Sequence, residues 1–543
     1  MILRNHTRIY SLVIFIGLLL IPLSINAQKS ELSTDFHKKR RQELRQKLPS
    51  NSLAVYFSAP VRNRANDVDF EYHPDPNFYY LTGWKEPHAV LLVYSAPQTD
   101  SEGVYYEKIY VRDRDARNEM WNGRQLGVEG AQKMDFERVR SKIEFSQEQK
   151  DFSNFDTVLI FDFKNDVRDN KSDTSDLFDL QKEFKNAINY PDNFDAGRYR
   201  LYQRIRTVTK SEVTYLKRRI SNMMEVDTTL KEDPVIQDFM KVGEDMFLTD
   251  LKTRSAFLLR DYNFDIDQLT YFMASLREKK TEEEIRLIKK AVRISAQGQL
   301  EVMRAIHPGM TEREVQGIHQ LVFKKYGAAH EGYPSIVGAG DNACVLHYIT
   351  NDKTDLKNQL ILMDLGAEYQ GYTADVTRTI PVSGTFTPEQ KVLYQIVYDA
   401  QTAGINASVN GASFRAISEA TYAVVQDGLL ALGLIEKPEE FRRYLPHGIA
   451  HHIGLDVHDP GLYETLSPNM VITVEPGIYV PEGSPCDPKW WNIGIRIEDD
   501  ILITEEGPVN LSIDAPRSWE EIEKVMREKS ALDDFVLPEL SID

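Results

Sequence analysis

The sequence is poor in cysteine and in basic charge. It has two cysteines, Cys344 and Cys486, in 543 residues, and 65 basic residues stand against 83 acidic ones, for a formal net charge of -18. A large domain does not need a disulfide, so we expect two buried free thiols, although both lie near motif segments and their pairing stays open. Nucleic acid is not an expected partner, because phosphate binding requires a basic surface.

A long apolar run is also missing. The run at residues 12–23 is too short to span a bilayer comfortably; it follows Arg4 and Arg8 and precedes the small residue Ala27. A basic segment, a short apolar core and a small residue at the cut are typical of a secretory signal peptide. We therefore expect cleavage after Ala27, export to a bacterial periplasm and no stable membrane insertion.

No internal repeat, low-complexity tract or phosphate-cradling glycine loop is evident, and 42% hydrophobic residues indicate a folded soluble protein. A chain of 543 residues is too long for a single core. Strand-like runs between charged helical stretches, among them the run at 78–81, predict an α/β domain. The expected divisions are a signal peptide (1–27), an N-terminal domain (28–200), a helical insertion or linker of open role (201–275), a catalytic domain (276–530) and a tail (531–543).

Five side chains that can bind metal occur in order along the C-terminal half. They are Asp364, Asp375, His451, Glu475 and Glu498, within the motifs M-D-L-G-A-E-Y-Q-G-Y-T-A-D, H-G-I-A-H, V-E-P-G-I-Y and G-I-R-I-E-D-D. Four carboxylates and one imidazole make a hard, oxygen-rich site that suits a pair of divalent cations such as Mn²⁺. Two such ions can share and activate one water, so the chain is predicted to be a hydrolase.

The local pattern around these residues is that of strands. A buried strand ends at Asp364 and a second one opens at Asp375, so a hairpin would bring both carboxylates to one metal pair. Another predicted strand ends at Glu475. Alternation across 494–504 places Arg496 and Glu498 on one face of a strand, where the arginine can orient a ligand carboxylate.

Longer stretches accompany these motifs in both halves of the chain. They are P-N-F-Y-Y-L-T-G-W (76–84), E-M-W-N-G-R (119–124), G-A-G-D-N-A-C-V-L-H-Y (338–348) and H-G-I-A-H-H-I-G-L-D-V-H-D (447–459). Together they resemble aminopeptidase P, the Xaa-Pro aminopeptidase of the pita-bread metallopeptidase superfamily, over about 35–140 and 275–530. The resemblance implies an α/β N-terminal domain and an α+β pita-bread (creatinase/aminopeptidase-like) catalytic domain. It does not explain residues 145–270.

The resemblance also implies roles for the ligands. Asp364 would bind one metal in a bidentate manner, Asp375 and Glu498 would bridge the pair, and His451 and Glu475 would complete the coordination. Two divalent ions, with Mn²⁺ expected, are the implied cofactors.

Further roles come from the same resemblance. The implied catalytic residues are His347, His447, His458, Glu475, Tyr479 and Arg496. The three histidines would line the substrate site, stabilise the oxyanion and assist proton transfer, while Tyr479 and Arg496 would support the metal ligands. Trp121 matches a tryptophan that can reach a neighbouring subunit's active site, so a homo-oligomer, a dimer or tetramer, is expected.

The expected reaction is release of the N-terminal residue from peptides with proline in second position, by attack of a hydroxide that bridges the two ions. A prolidase, which shares all five ligands and cleaves Xaa-Pro dipeptides, stays open as an alternative. A catalytically inactive peptide-binding module of the same fold also stays open. Methionine aminopeptidase is disfavoured because it lacks the large N-terminal domain, and a metal-free creatinase-like hydrolase because it lacks the ligand set.

Overall fold

The computed structural model describes residues 32–148, 151–171, 173–242, 245–260, 262–535 and 537. The predicted signal peptide at 1–27 lies outside these residues. Among the helices of the described part, none combines the length and the apolar character that crossing a membrane requires.

A mixed six-stranded sheet forms the centre of the N-terminal half. In chain order, the elements of this half begin with α1 (Thr34–Lys47), β1 (Ser52–Phe57), β2 (Asn63–Ala65), β3 (Val68–Asp69), α2 (Pro76–Thr82), β4 (Val90–Asp100), β5 (Gly103–Val111), α3 (Ala116–Asn122), α4 (Gly127–Ala131), β6 (Val139–Ser141), α5 (Lys142–Gln147), β7 (Thr157–Leu159) and α6 (Leu177–Ala187). A helical segment follows, with α7 (Ala196–Thr207), α8 (Val213–Val226), α9 (Pro234–Lys241) and α10 (Asp245–Leu259), and leads to β8 (Phe264–Asp265) and α11 (Gln268–Arg277).

The strand order in the sheet is β6-β5-β4-β1-β7-β8. Strands β1 and β4 are antiparallel, whereas β7 runs parallel to both β1 and β8. The helical segment packs around an apolar cluster of its own, in which Ile205, Ile220 and Phe239 are fully buried. The chain therefore leaves the sheet after β7, builds these helices and returns to the sheet edge at β8.

The strand predicted at residues 78–81 is wrong, because these residues lie in helix α2. Asp75 caps the helix through a hydrogen bond from the Phe78 backbone N–H, Pro76 occupies the first turn, and Gly83 ends the helix in the left-handed region. These end signals favour a helix over the β propensity of the aromatic residues between them.

The C-terminal half alternates long helices with short antiparallel strands. Its elements are α12 (Glu282–Ala305), α13 (Glu312–Lys325), β9 (His330–Glu331), β10 (Ile336–Ala339), β11 (Leu360–Asp364), β12 (Ala367–Tyr369), β13 (Tyr372–Thr373), β14 (Thr377–Pro381), α14 (Pro388–Ala407), α15 (Phe414–Ala431), β15 (Val471–Val474), β16 (Gly477–Val480), β17 (Ile493–Arg496), β18 (Asp499–Thr504), β19 (Gly507–Asn510) and α16 (Trp519–Val525). The sheets are β10-β11-β14, β13-β12-β9, β15-β18-β19 and β16-β17.

The continuous strand predicted across 494–504 is interrupted at residues 497–498. Strand β17 pairs with β16, whereas β18 pairs with β15 and β19, so the chain changes sheets at this point. The Glu498 backbone N–H donates to the Thr377 carbonyl rather than to either sheet partner. The break places Glu498 between the sheets, at the level of the ends of β11 and β15.

The two halves share one apolar core. Tyr80 and Leu276 from the N-terminal half pack in the same buried cluster as Tyr372 and Leu455 from the C-terminal half. The Tyr80 hydroxyl also donates to the Leu276 carbonyl at 2.9 Å. The N-terminal half therefore packs against the segments around Tyr372 and Leu455, which lie next to the ligand motifs in the chain.

Candidate metal centre

The structure brings the five predicted ligands together at strand ends. Asp364 ends β11, and antiparallel pairing of β11 with β14 places Asp375, just before β14, beside it. Glu475 follows β15, and Glu498 lies at the break between β17 and β18. His451 is held against β15 by its backbone N–H, which donates to the Thr473 hydroxyl at 3.1 Å.

The distances are those of a compact ligand cluster. One potential ligand atom from each of Asp375, His451 and Glu498 lies within 4.8 Å of the other two. His451 Nε2 is 3.5 Å from Asp375 Oδ2 and 3.4 Å from Glu475 Oε1. His451 Nδ1 donates to the His452 carbonyl at 2.9 Å, so Nε2 is the ring nitrogen that faces the carboxylates.

The cluster holds more negative charge than the protein compensates. Four carboxylates face one fixed cation, the guanidinium of Arg496, and the side chains are almost fully buried; Glu498 is 2% exposed. Burial and Asp364 raise the pKa of Asp375 to about 6, and burial, with Asp375, raises the pKa of Glu475 to about 7. Burial, with Asp375 nearby, also raises the pKa of Glu498 well above its ordinary value.

In two members of the cluster the pKa shifts in the direction that favours the charged form. Burial alone would raise the pKa of Asp364, but Arg496 and Tyr333 bring it below its ordinary value. Burial would likewise lower the pKa of His451, but the hydrogen bond with Asp375 and the charge of Glu475 raise it to about 9. Without a metal, Asp364 therefore stays ionised, and His451 carries a proton that supplies part of the missing positive charge.

The residues present therefore fit the implied ions. Oxygen-rich, anionic donors with one imidazole are suited to divalent cations such as Mn²⁺, and ions at this place would supply the missing positive charge. Asp364, Asp375, His451, Glu475 and Glu498 would hold them.

A chain of hydrogen bonds runs from the ligands to the predicted histidine His447. Arg496 donates to Asp364 Oδ2 at 2.6 Å and to the Tyr479 hydroxyl at 2.9 Å. The Tyr479 hydroxyl lies 2.9 Å from His447 Nε2, while His447 Nδ1 donates to the Gly448 carbonyl. Burial and Arg496 lower the pKa of His447 to about 4, so the ring is neutral and its Nε2 accepts the Tyr479 proton.

The other two predicted histidines are at the open side of the cluster. His458 is exposed, and its ring makes an edge contact with the ring of His451 at 4.4 Å between centroids. Burial, with His451 and His347, lowers the pKa of His458, which places His347 in the same neighbourhood. Trp121 is 77% exposed on α3, and its predicted contact involves a second subunit, so its role stays a prediction, as do the catalytic roles of the histidines.

Sequence reasoning missed two side chains that touch the ligands. The Tyr333 hydroxyl lies 2.5 Å from Asp364 Oδ1 and 2.6 Å from Asp375 Oδ1. The Thr377 hydroxyl donates to Glu498 Oε2 at 2.6 Å and accepts from Arg496 Nε at 3.2 Å. Thr377 lies in the predicted strand that opens at Asp375, and the two-residue alternation from that ligand could have identified it.

The segment that carries His458 is held by a buried ionic network. Arg277, at the end of α11, donates to Asp456 Oδ2 at 2.7 Å, to Asp459 and to the Asn77 side chain of α2 at 2.7 Å. Lys280 donates to Asp459 Oδ2 at 2.6 Å. Burial opposes ionisation of Asp459, but Arg277 and Lys280 lower its pKa below the ordinary value.

The two cysteines are free thiols, as expected, although each is only half-buried. Burial raises the pKa of Cys344 to about 11, so its thiol stays protonated and unreactive at neutral pH.

Models of known protein families match both halves of the chain. The model of metallopeptidase family M24 matches residues 286–505, and the model of the aminopeptidase P N-terminal domain matches residues 37–158. An Xaa-Pro aminopeptidase of Escherichia coli is 29% identical over 511 residues, which span 92% of this chain and 98% of that protein. Xaa-Pro aminopeptidase 1 of Streptomyces coelicolor is 40% identical over 278 residues, 48% of this chain and 56% of that protein.

Solved structures agree with these relatives. Aminopeptidase P from Escherichia coli with the inhibitor Pro-Leu superposes with a TM-score of 0.70 at 27% identity, over 91% of this chain and 98% of that one. Proline aminopeptidase P II from Yersinia pestis gives a TM-score of 0.70 at 28% identity, over 91% and 99%. These matches confirm the predicted N-terminal domain and pita-bread catalytic domain. The chain is therefore a metallo-exopeptidase with the two-domain aminopeptidase P fold, and its residues 286–505 match metallopeptidase family M24.

Proposed function

We propose that the protein removes the N-terminal residue from peptides with proline in second position, with two divalent ions, Mn²⁺ by preference, at the ligand cluster. The observation that carries the proposal is the convergence of all five ligands at one anionic centre beside a complete aminopeptidase P N-terminal domain. When bound, the two ions would polarise the scissile carbonyl and activate the attacking water.

The side chains of the site have distinct tasks in this reaction. Glu475, which lies beside His451 in the ligand cluster, can take a proton from the attacking water and return it to the proline nitrogen as that nitrogen leaves. This return is needed because the proline nitrogen, on the leaving side of the cut, must be protonated to leave as an amine. His458 is neutral at pH 7 and can donate one ring N–H to the charge that develops on the carbonyl oxygen.

Arg496 and Tyr479 act by orientation. Arg496 fixes Asp364 from one side and the Tyr479 hydroxyl from the other, and Tyr479 in turn fixes the ring of His447. A ligand and a substrate-facing histidine are thereby held by one buried guanidinium, which keeps the site in one geometry before substrate arrives.

An activity assay on peptides of graded length tests the proposal. Leu-Pro, Leu-Pro-Ala and Leu-Pro-Ala-Ala are supplied with Mn²⁺, Co²⁺ or Zn²⁺, and Leu-Ala-Ala serves as the control without proline. We expect release of leucine from the tripeptide and tetrapeptide, and little from Leu-Ala-Ala. Cleavage of Leu-Pro alone would make the protein a prolidase. Absence of cleavage and of metal binding would make it a binding module.

Export and assembly belong to the same proposal. The signal-peptide pattern at residues 1–27 supports export to the periplasm, and intact-mass analysis of the exported protein should show an N-terminus at Gln28. The adjacent exposed side chains Met120 and Trp121 support a homo-oligomer, a dimer or tetramer, in which this surface is covered. Light scattering should give a mass above that of one chain, and Trp121→Ala should lower it.

A further inference from the structure

The two longest helices of the described chain each carry one fully buried glutamine. Gln299 lies in α12 and Gln401 lies in α14, and both residues are 0% exposed. Burying an amide side chain costs free energy unless its polar atoms find partners inside the protein. The hydrogen bonds of these two side chains therefore indicate what they hold in place.

Gln299 bridges the two segments that carry the ligands Asp364 and Asp375. Its Nε2 donates to the Met363 carbonyl at 3.1 Å and to the Val376 carbonyl at 2.8 Å. Met363 directly precedes Asp364 in the chain. Val376 directly follows Asp375. One amide group is therefore bonded to the chain neighbours of two metal ligands.

Gln401 makes the same kind of bridge at the ligands Glu475 and Glu498. Its Nε2 donates to the Val474 carbonyl at 3.2 Å and to Asp499 Oδ2 at 2.8 Å. Val474 directly precedes Glu475, and the two partners of the amide face each other where β15 pairs with β18. Asp499 directly follows Glu498. Two amide groups are thus bonded to a chain neighbour of each of the four carboxylate ligands.

The chemistry of the partners determines which way each amide points. Both partners of Gln299 are carbonyl oxygens, which only accept hydrogen bonds, so the NH₂ group and not the amide oxygen must face them. Gln401 likewise turns its NH₂ group to a carbonyl and a carboxylate, while its Oε1 accepts from Arg517 at 2.9 Å. Every amide hydrogen of the two glutamines is therefore used on a segment that carries a ligand.

Ser295 supports the same hairpin as Gln299. Its hydroxyl accepts from the Ala367 backbone N–H at 2.9 Å, three residues after Asp364. Residues 295 and 299 are four apart, so both lie on one face of α12. This buried face of the helix therefore places polar side chains against the segments that hold the ligands.

We propose that Gln299 and Gln401 are positioning residues of the metal centre, each of which fixes the separation of one pair of carboxylate ligands. The proposal rests on the metal-dependent function given above and adds two residues that act on it through the ligands. Ionised carboxylates repel one another before the ions bind, which drives the segments that carry them apart. Each amide bridge opposes that movement and keeps its two ligands in the arrangement that the ions need.

Gln299→Met and Gln401→Met test the proposal independently, because each removes the amide donors of one bridge and keeps an unbranched side chain of similar length. Titration calorimetry of the chelator-treated, full-length protein with Mn²⁺ measures the metal affinity, and circular dichroism checks that each variant is folded. We expect each substitution to weaken Mn²⁺ binding by about 10–100-fold, the usual range for groups that orient metal ligands.

Tyr199→Phe is the matched control. The Tyr199 hydroxyl also donates from a buried side chain to a backbone carbonyl, that of Phe264 at 3.1 Å, but it does so in the N-terminal half. We expect this variant to unfold at a lower urea concentration than the wild type, as the glutamine variants do. Unlike them, it should bind Mn²⁺ with the affinity of the wild type.

Two results would overturn the proposal. Normal Mn²⁺ affinity in a folded glutamine variant would mean that its amide serves stability alone. An equal loss of affinity in Tyr199→Phe would mean that metal binding follows stability rather than ligand spacing. Peptide cleavage separates these failures from failure of the proposed function. If the wild-type protein bound Mn²⁺ but cleaved no Xaa-Pro peptide, the proposed function would fail, while a loss of affinity in the glutamine variants would still support the positioning role.

Discussion

Asp459 and the ligand Asp375 are both buried in the same domain, but the protein treats their charges in opposite ways. Asp459 is 1% exposed and has two cations of its own, Arg277 and Lys280, so its pKa falls below the ordinary value. Asp375 is 5% exposed and shares a single guanidinium, that of Arg496, with three other carboxylates, so its pKa rises to about 6. The charge of Asp459 is balanced by cations of the chain itself, whereas the ligand carboxylates require added cations.

This difference separates a structural ionic network from a metal site better than burial or acidity alone. Burying a carboxylate without a compensating charge costs free energy, because the charge loses its hydration. A fold tolerates this cost where a bound ligand offsets it. The network at Asp459 holds the segment of His458 beside α11, and the ligand cluster lies next to that segment. The network at Asp459 thus holds in place the segment beside which the ligand cluster lies.

The largest expected effect comes from removing a ligand. Asp375→Ala should lower kcat/KM on Leu-Pro-Ala by about a thousandfold or more, because it deletes a carboxylate shared between the two predicted metal positions. The steady-state assay with Mn²⁺ measures this, and circular dichroism checks that the fold persists. Near-normal turnover by Asp375→Ala would contradict the assignment of the cluster as a dimetal site.

Removing a cation from the network at Asp459 should instead lower the free energy of unfolding. Arg277→Ala leaves Asp459 and Asp456 without their shared partner, and breaking a buried ion pair costs about 3–5 kcal/mol of unfolding free energy. Urea denaturation measures the loss. Lys289→Ala, an exposed lysine on α12, should change stability by no more than about 0.5 kcal/mol. Equal stability of the two variants would mean that the network is not what holds the segment.

The two groups should also differ in their response to pH. In chelator-treated protein the folded state keeps protons on Asp375 and Glu475 up to about pH 6 and about pH 7, whereas the unfolded chain releases them near pH 4. Their contribution to stability is therefore full below about pH 4 and is lost as the pH rises through 7, by about 3 kcal/mol for each group.

With Mn²⁺ bound, the same carboxylates are held ionised and this loss should disappear. Asp459, whose pKa is lowered in the folded state, contributes stability above about pH 4 and loses it only in more acidic solution. Unfolding measured from pH 4 to pH 8, with and without Mn²⁺, checks both expectations. Parallel pH profiles of stability with and without Mn²⁺ would show that the negative charge of the cluster is compensated without a metal.

The smallest expected effect concerns Tyr333, which touches two ligands without being one. Tyr333→Phe removes the hydroxyl from Asp364 and Asp375 and should weaken Mn²⁺ binding by about 10–100-fold, the usual range for partners that orient metal ligands. Titration calorimetry with Mn²⁺ measures the change. Tyr348→Phe, a tyrosine whose hydroxyl bonds to Glu312, is the control and should bind normally.

The sequence predicted those features of the molecule that are determined by residues close together in the chain. The five ligands were identified because each lies inside an extended motif, and strand β11 ends at Asp364 as predicted. Residues 78–81 were assigned to a strand because their aromatic side chains were given more weight than the capping residues on either side.

Long-range partners could not be identified in this way. Arg277 and Asp459 are 182 residues apart in the chain, and nothing near either residue indicates the other. Tyr333 precedes a proline in a short loop, and only the folded structure places its hydroxyl between two ligand carboxylates.

The central claim is that the carboxylate cluster, unlike the network at Asp459, requires two divalent ions. Elemental analysis of metal-reconstituted, extensively dialysed protein tests it most directly. The account predicts two Mn²⁺ ions per chain in the wild-type protein and fewer than one in Asp375→Ala. A wild-type protein that retains no divalent ion under these conditions would contradict it.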